Sequence, residues 1–349
     1  MWSHDAKMAA GHHELFSLEN VLQTLLLIAE DDGRGQLLFG ESINRAKRLL
    51  PDYLVGKTFP NVYLEFPLMG EPFLDVSVGY KDFPAGEGIR APSAEGTQEM
   101  LDWFSGTAPA FPGISCGYEL DLKHKDPSKA GIYFHPDRYR ELVLPFCRTI
   151  GEDDKAQLYL NAADRLPAAW KPSYFGLFRG RPDAPFRIGG YLSDSEMAAC
   201  VKDPGRIHNV FDRIGFRAYH SEMLRQMSEL LAAVPGYSDF QFDVFLDGTF
   251  GDTFSLDVYF PFVQPEEMPA YFQEGEAAKF MKLLNCWKVA DARLVPALEM
   301  AFEGAIPVNE DLYIYFLRPN WLKVRWIQGT LQPAKLYVMM FADSLTEKE

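Results

Sequence analysis

Hydrophobic residues along the chain follow two kinds of pattern that alternate. Segments rich in Tyr, Phe, Val and Ile come in pairs separated by turn residues, which is typical of β-hairpins. Between the pairs lie stretches with apolar residues at three- and four-residue spacing, which predict amphipathic helices. The pattern therefore predicts a repeat in which one or two helices precede a hairpin, and this repeat occurs five times.

The five predicted hairpins share one form, two strands joined by a turn. They comprise 62–66 with 73–80, 114–123 with 130–135, 174–179 with 185–192, 240–246 with 254–260, and strands within 312–341. The helices predicted before them are 15–29 and 41–50, 98–104, 136–150 and 153–163, 193–201 and 221–234, and 267–287 and 294–303. No Gly/Ser linker separates the units, so we expect a single domain over residues 1–349.

The ten strands of these hairpins leave two exposed edges in a flat sheet and none in a closed barrel. We therefore predict an α/β (α+β) fold in which repeated ααββ units form a closed antiparallel barrel of about ten strands inside a ring of helices. A barrel of this size is wide enough to hold a ligand, and we expect the chemistry in its lumen. Two separate α+β domains with open sheets are the alternative.

Composition and charge narrow the function. The formal charge of −15 argues against nucleic acid or an anionic membrane as a partner, because both attract a basic surface. The amino terminus has no secretory leader pattern, and no apolar run approaches the length of a membrane span, so we expect a cytoplasmic protein. The four cysteines are widely spaced without a CxxC pair, which predicts buried thiols and no metal cluster.

Short motifs in the predicted strands resemble those of the ABBA-fold (PT-barrel) aromatic prenyltransferases of the dimethylallyltryptophan synthase type. The second hairpin contains Asp121-Leu-Lys123 and then Lys129-Ala-Gly-Ile-Tyr-Phe-His-Pro136, similar to the Asp-Leu-Lys turn and the Lys-x-Tyr-Phe-x-Pro strand of that family. Three further strands are similar: Tyr63-Leu-Glu65 to the strand that carries the acidic residue, Arg187-Ile-Gly-Gly-Tyr191 to Arg-x-Lys-x-Tyr, and Asp257-Val-Tyr-Phe-Pro261 to Lys/Gln-x-Tyr-x-Pro.

The resemblance implies a transferase of secondary metabolism. In that family, basic side chains of the barrel wall bind a prenyl diphosphate, tyrosines shield the allyl cation, and a glutamate hydrogen-bonds the nucleophilic indole. Carried over, these roles fall on Glu65 as the acid/base residue, on Arg187 as an anion-binding residue, and on a set of shielding tyrosines. Those tyrosines are Tyr133, Tyr191, Tyr259 and one of the last tyrosines of the chain, for which Tyr313, Tyr315 and Tyr337 are the candidates.

The sequence departs from the family at its basic positions. Asp75 stands where Arg is expected, Gly131 and Gly189 where Lys is expected, and Asp257 where Lys or Gln is expected. The resemblance places Asp75 and Asp257 among the candidate substrate-binding residues. Because these changes remove cationic donors and add negative charge at the substrate wall, they predict weak binding of a diphosphate. Substitute cations are Lys129, Arg179 and Lys335, together with Lys323 and Arg325, although the last two fit an exposed strand face better.

Two classes of function stay open. The first is an aromatic prenyltransferase acting on an indole or another electron-rich ring. The second is a divergent barrel that does not use prenyl diphosphate: an enzyme of acid/base chemistry, such as cyclisation or isomerisation of an aromatic or cationic metabolite, or a non-catalytic binder. Glu65 is the acid/base candidate in either enzyme, and we expect desolvation to raise its pKa. The need for Mg²⁺ and the choice between monomer and homodimer also stay open.

Overall fold

The computed structural model describes residues 18–53, 60–81, 96–122, 131–178, 184–275, 277–308 and 311–344. Within these residues the strands are β1 Asn61–Pro67, β2 Asp75–Lys81, β3 Ser115–Leu120, β4 Gly131–His135, β5 Trp170–Phe178, β6 Phe186–Leu192, β7 Ser238–Val244, β8 Phe250–Tyr259, β9 Phe302–Val308, β10 Asp311–Ile327, β11 Thr330–Leu331 and β12 Lys335–Ser344. The α-helices are α1 Leu18–Glu30, α2 Arg34–Phe39, α3 Ser42–Leu49, α4 Thr97–Thr107, α5 Val143–Thr149, α6 Asp153–Arg165, α7 Asp194–Lys202, α8 Gly205–Ile214, α9 Ser221–Ala233, α10 Met268–Gln273, α11 Ala278–Trp287 and α12 Leu294–Leu298.

Ten strands form a closed antiparallel barrel. Strands β1 to β7 each pair with the next strand along the chain, and β8 pairs with β10, β10 with β12, and β12 with β1. Strands β9 and β11 pair with β10 and lie outside this circuit. The closed barrel predicted from the hairpin repeat is therefore confirmed, and closure brings the first and last strands of the chain side by side.

The two faces of the barrel wall have opposite chemistry. On β1, Val62, Leu64 and Phe66 are buried on the outer face and pack in the hydrophobic core between the barrel and the helices, whereas Tyr63 and Glu65 line the lumen. The same alternation recurs on the other strands, because successive side chains of a strand point to opposite faces. The core thus lies outside the barrel, and the lumen is left to polar and aromatic side chains.

Three predicted helices differ in extent from those observed. The helix predicted at 136–150 begins only at Val143, because Asp137 has a positive φ of 50° and a short 3-10 turn precedes α5. The helix predicted at 267–287 is divided, since Gly275 closes α10 by donating its N–H to the Ala270 carbonyl oxygen at 3.0 Å. The helix predicted at 294–303 ends at Leu298, after which the chain enters β9.

Two helices, α2 and α8, were not predicted. Helix α8 is amphipathic, with Ile207, Phe211 and Ile214 buried on one face, and it ends at Gly215 in the left-handed conformation with φ 76°. Its apolar residues face the outer side of the barrel rather than the lumen, so the omission does not affect the site. In the described part of the chain, no helix is long and apolar enough to cross a membrane.

Candidate active site in the barrel lumen

The lumen contains two adjoining cavities. The first, which we call the aromatic chamber, has a volume of about 400 Å³, and the second, the charged chamber, about 190 Å³. Side chains that distinguish the aromatic chamber are Tyr63, Tyr133, Tyr174, Tyr191, Tyr237, Tyr259 and Trp321. Those that distinguish the charged chamber are Glu65, Asp75, Asp121, Arg325 and Lys335. Both cavities are lined by Glu119, Arg187, Lys323 and Tyr337, which form a septum between them.

Stacked rings form one wall of the aromatic chamber. Trp321 stacks on Tyr337 with ring centroids 4.3 Å apart, and Tyr63 meets the edge of Trp321 at 4.7 Å. Tyr259 lies 5.3 Å from Trp321 and is itself stacked on Tyr237 at 4.3 Å. These five rings present a continuous set of π faces and edges around one side of the cavity, a surface suited to a flat ring or a cation.

The opposite wall contains Tyr133, which depends on a glycine beside it. A Cβ at Gly117 would lie 2.4 Å from the Tyr133 hydroxyl and 2.3 Å from the Val78 carbonyl oxygen, so only glycine allows the phenol to lie across β3. Tyr174 is the neighbouring ring, 6.2 Å from Tyr133 and 4.9 Å from His135. Burial lowers the pKa of His135 to about 4, so this imidazole is neutral at physiological pH.

The tyrosines singled out in the sequence lie together in the lumen. Tyr133 and Tyr259 line the aromatic chamber, and Tyr337 lines both chambers. Tyr191 lies at the same cavity but is 44% exposed, so it occupies the mouth.

The other two candidates for the last tyrosine lie elsewhere on the barrel. Tyr313 and Tyr315 pair on β10 with Ser344 and Ala342, beyond the part of β10 that lines the cavities. The geometry therefore places Tyr337, rather than these two, beside the candidate site.

Glu65 lies in the charged chamber and is tied to the last strand. Its carboxylate accepts a hydrogen bond from Lys335 Nζ at 2.5 Å and another from the Tyr337 hydroxyl. Burial alone would raise its pKa, but Lys335, Lys323 and these two hydrogen bonds outweigh burial and lower the pKa of Glu65 to about 2. The expectation of a raised pKa at Glu65 is therefore wrong, because closure of the barrel supplies a buried cation that desolvation arguments did not include.

Asp75 faces Glu65 directly across β1 and β2 and behaves in the opposite way. Its Oδ1 accepts a hydrogen bond from the Leu122 N–H at 3.2 Å, and its Oδ2 lies 3.8 Å from Lys335 Nζ. Burial, followed by the negative charge of Glu65, raises the pKa of Asp75 to about 9. At neutral pH this side chain is a neutral carboxylic acid beside an ionised one.

The cations of the septum already have acidic partners. Arg187 donates from Nε to Asp243 Oδ1 at 3.1 Å, and its guanidinium lies over the Phe178 ring. Lys323 donates to Gln241 at 3.2 Å and lies 3.8 Å from Asp257. Lys323 is buried in the lumen rather than on an exposed strand face, so the sequence interpretation of that residue is wrong. Arg325 likewise lines the charged chamber.

Two glycines that replace expected lysines differ in their surroundings. A Cβ at Gly189 would lie 2.8 Å from the Phe240 carbonyl oxygen and 3.1 Å from Tyr174, so these neighbours occupy the space of a longer side chain. A Cβ at Gly131 would make only ordinary contacts of 3.6 Å. Lys129 and Arg179, the other substitutes considered for anion binding, lie outside the described residues.

Asp257 and Asp239 are an acidic pair on the wall of the aromatic chamber. Asp257 accepts a hydrogen bond from Gln241 Nε2 at 2.6 Å, and burial raises its pKa to about 6 against the opposing effect of Lys323. Burial and the neighbouring Asp257 raise the pKa of Asp239 to about 8. Asp239 was missed in the sequence, although its alternation with Phe240, Phe242 and Val244 in β7 is the signal that separates the lumen face from the core face.

Within the residues that the structure describes, no cluster of three or more His, Cys, Asp or Glu side chains is placed to hold a metal ion. No family model matches the chain, and no curated protein matches it.

Solved structures share the fold of this chain at low sequence identity. The 5-dimethylallyltryptophan synthase from Streptomyces coelicolor aligns with a TM-score of 0.52 and 12% identity, covering 94% of this chain and 98% of that one. The apo form of the prenyltransferase PriB gives 0.50 and 14%, covering 93% and 96%. NotF in complex with brevianamide F and DMSPP gives 0.50 and 10%, covering 98% of each chain. The chain therefore has the ABBA (PT-barrel) fold of the aromatic prenyltransferases.

Proposed function

We propose that this protein is an aromatic prenyltransferase-like enzyme that transfers an allylic group from a prenyl diphosphate to an indole or another electron-rich ring in the barrel lumen. The observation that supports the proposal best is the pairing of two chambers across one septum. The aromatic chamber offers π faces for the acceptor and the allyl cation, and the charged chamber next to it offers cations for the leaving diphosphate.

The rings of the aromatic chamber suit an allyl cation. Tyrosine and tryptophan faces attract a cation through their quadrupoles and do not add to it as a water molecule would. Tyr337 and Trp321 are stacked beside the septum, so their faces lie where a cation would be released from a donor bound in the charged chamber. We assign Tyr133, Tyr259 and Tyr337 to shielding the cation, and Tyr191 to covering the mouth.

The charged chamber suits an anion better than its carboxyl groups suggest. Four cationic side chains line it: Arg187, Lys323, Arg325 and Lys335. Burial raises the pKa of Asp75 to about 9, which removes its negative charge from the chamber at neutral pH, and burial also raises the pKa of Glu119. The bond of Arg187 to Asp243 engages one of the five N–H donors of the guanidinium, so the group retains donors for phosphate oxygens.

The reaction requires a base for the proton that leaves the aromatic ring. The donor loses its C–O bond to diphosphate, the allyl carbon forms a bond to the ring, and the ring then releases a proton. Asp257 suits this step, because its pKa of about 6 makes it a stronger base than Glu65 with a pKa of about 2. In this proposal Glu65 acts electrostatically, since its carboxylate accepts a hydrogen bond from the Tyr337 phenol that faces the cation.

Acid/base chemistry without a prenyl diphosphate is a second candidate. The observation that favours it is Asp75, a carboxylic acid kept protonated near neutral pH at the end of the lumen, where a proton donor would start a cyclisation or isomerisation. In that reaction Glu65 would accept hydrogen bonds from Lys335 and Tyr337 and would not take up the proton.

The proposal is tested by incubating the protein with dimethylallyl diphosphate and a panel of indoles and phenols, with mass spectrometry of the products. We expect a prenylated product, and about 2- to 30-fold less of it from Tyr259→Leu, because a cation–π contact is removed. Tyr139→Leu is the matched control, since Tyr139 packs on Phe111 away from both chambers. Failure to form a prenylated product from any acceptor, with an isomerised acceptor instead, would favour the second candidate.

A further inference from the structure

Asp239 and Asp257 form a pair of carboxyl groups on neighbouring strands. They are directly opposite each other in the register of β7 and β8, and both line the aromatic chamber. Directly opposed residues of an antiparallel pair have their Cβ atoms about 5 Å apart. In the proposed transfer Asp257 acts as the base, and Asp239 has no assigned role.

One oxygen of each carboxyl group lacks a hydrogen-bond partner. Among the described residues, Oδ1 of Asp239 and Oδ1 of Asp257 are both buried without a donor. Asp257 is only 2% exposed, and its Oδ1 lies 3.8 Å from Lys323 Nζ, beyond hydrogen-bond distance. A buried acceptor left unpaired is costly, so the two oxygens indicate a site for a ligand that carries donors.

Aromatic rings flank the pair. Tyr259 lies two residues after Asp257 on the same face of β8, and Tyr237 stacks on it at 4.3 Å with the ring planes 9° apart. Trp321 lies 5.3 Å from Tyr259 on the next strand of the barrel. Aromatic faces beside carboxylates are the combination that recognises organic cations.

We propose that the Asp239–Asp257 pair and these rings form a binding site for an organic monocation, such as a protonated amine carried by the acceptor. The inference deepens the proposed function, on which it rests, by assigning a charge to the acceptor. It also accounts for the acidic residue at position 257, which removes a donor from a diphosphate and supplies an acceptor to a cation.

The net charge of the pair fits a single positive charge. At pH 7 Asp257, with a pKa of about 6, is mostly ionised, and Asp239, with a pKa of about 8, is mostly protonated. The pair therefore carries about one negative charge. Lys323 Nζ already lies 3.8 Å from Asp257 Oδ1 and offsets part of this charge without hydrogen-bonding the carboxylate, so a monocation that donates hydrogen bonds to both Oδ1 atoms would share Asp257 with Lys323.

Calorimetry with the full chain tests the site through three ligands of similar shape, tryptamine as the cation, 3-ethylindole as the neutral compound and indole-3-propionate as the anion. We expect tryptamine to bind about 10- to 100-fold more tightly than 3-ethylindole, as for hydrogen bonds to charged groups, and indole-3-propionate to bind most weakly. Asp257→Asn should remove most of the preference for tryptamine, whereas Asp239→Asn, which exchanges a mostly protonated carboxyl group for a neutral amide, should reduce it less. Asp252→Asn, on β8 but outside both chambers, should leave it unchanged.

Circular dichroism and thermal melting establish that each variant is folded. If Asp257→Asn is not folded, binding to the parent at pH 5 and pH 7 replaces it, because protonation of Asp257 should reduce the preference for tryptamine at pH 5. The inference is overturned if 3-ethylindole binds as tightly as tryptamine, if the preference survives both Asn substitutions, or if none of the three ligands binds. The transfer assay tests the proposed function separately from the cation site. Tryptamine binding that depends on the pair, without any prenylated product, would contradict the proposed function but not the cation site.

Discussion

Glu65 and Asp75 face each other across the first two strands of the barrel, and their pKa values lie on opposite sides of the ordinary carboxyl range. Lys335 Nζ lies 2.5 Å from Glu65 and 3.8 Å from Asp75, so the nearer carboxyl group is held ionised. That charge and burial together hold the other one protonated. Because of this one cation, Glu65 is too weak a base to accept a proton at neutral pH, whereas Asp75 keeps its proton.

The free energy of unfolding should depend on pH in a way that reflects the opposite pKa shifts of Glu65 and Asp75. The raised pKa of Asp75 contributes stability that is present below about pH 4 and is lost as the pH rises toward 9, by up to about 1.4 kcal/mol per pH unit. The lowered pKa of Glu65 contributes stability above about pH 4.5 that is lost as the pH falls toward 2. We expect Asp75→Asn to stabilise the protein relative to the parent more at pH 9 than at pH 5, as measured by urea unfolding. An equal effect at both pH values would show that Asp75 ionises normally.

Replacement of Lys335 by Met should destabilise the fold strongly. The substitution leaves Glu65 buried without its cation, which costs about 3–5 kcal/mol in the free energy of unfolding. Arg148→Met is the control, because Arg148 and Asp153 form an exposed ion pair worth about 0–1 kcal/mol. Similar losses in the two variants would mean that the lumen is well hydrated and that the pKa of Glu65 is close to its ordinary value.

The position of Tyr133 should depend on Gly117. Gly117→Ala places a Cβ against the Tyr133 hydroxyl and the Val78 carbonyl oxygen, and overpacking of this kind costs about 1–3 kcal/mol. Gly106→Ala, in helix α4 with nothing within 4 Å of the added Cβ, should instead stabilise the protein by about 0.5–1 kcal/mol. Chemical denaturation distinguishes the two, and a stable Gly117→Ala variant would show that Tyr133 lies elsewhere.

Binding of dimethylallyl diphosphate should be weak and sensitive to salt. Compared with a typical aromatic prenyltransferase, the acidic residues at Asp75 and Asp257 and the glycines at 131 and 189 each remove a charge-assisted contact worth about 1.5–3 kcal/mol. Arg325→Gln should weaken the binding measured by calorimetry by a further tenfold or more, whereas Arg213→Gln, on the exposed face of α8, should not. Tight binding that Arg325→Gln leaves unchanged would place the diphosphate outside the charged chamber.

Much of the fold follows from local pattern, whereas the electrostatics of the site do not. The apolar positions Val62, Leu64 and Phe66 mark the outward face of β1, and Glu65 between them marks the lumen face. The sequence alone therefore predicts which side chains of this strand point inward. The pairing of Glu65 with Lys335 joins residues 270 positions apart, and only closure of the barrel brings them together. The sign of the pKa shift at Glu65 depends on that contact, so desolvation alone gave the wrong direction.

On β10 and β7, the alternation of polar and apolar residues does not by itself show which face of the strand points into the barrel. Lys323 and Arg325 alternate with Leu322, Val324 and Trp326, a pattern that fits an exposed face of an open sheet equally well. In a closed barrel whose outer face is covered by helices, the polar face must be the inner one. The same reasoning assigns Asp239 to the lumen, once closure is known.

If a prenyl group is transferred with Asp257 as the proton acceptor, the rate of prenylated product formation between pH 4 and 8 should follow the ionisation of Asp257. We expect kcat/KM to rise with an apparent pKa of about 6, and Asp257→Asn to lower the rate by about 10²–10⁴-fold and to abolish the rise. Asp252→Asn should retain both the rate and the profile. A rate that is constant above pH 4 and is lost in Glu65→Gln but not in Asp257→Asn would show that Glu65, and not Asp257, is the base.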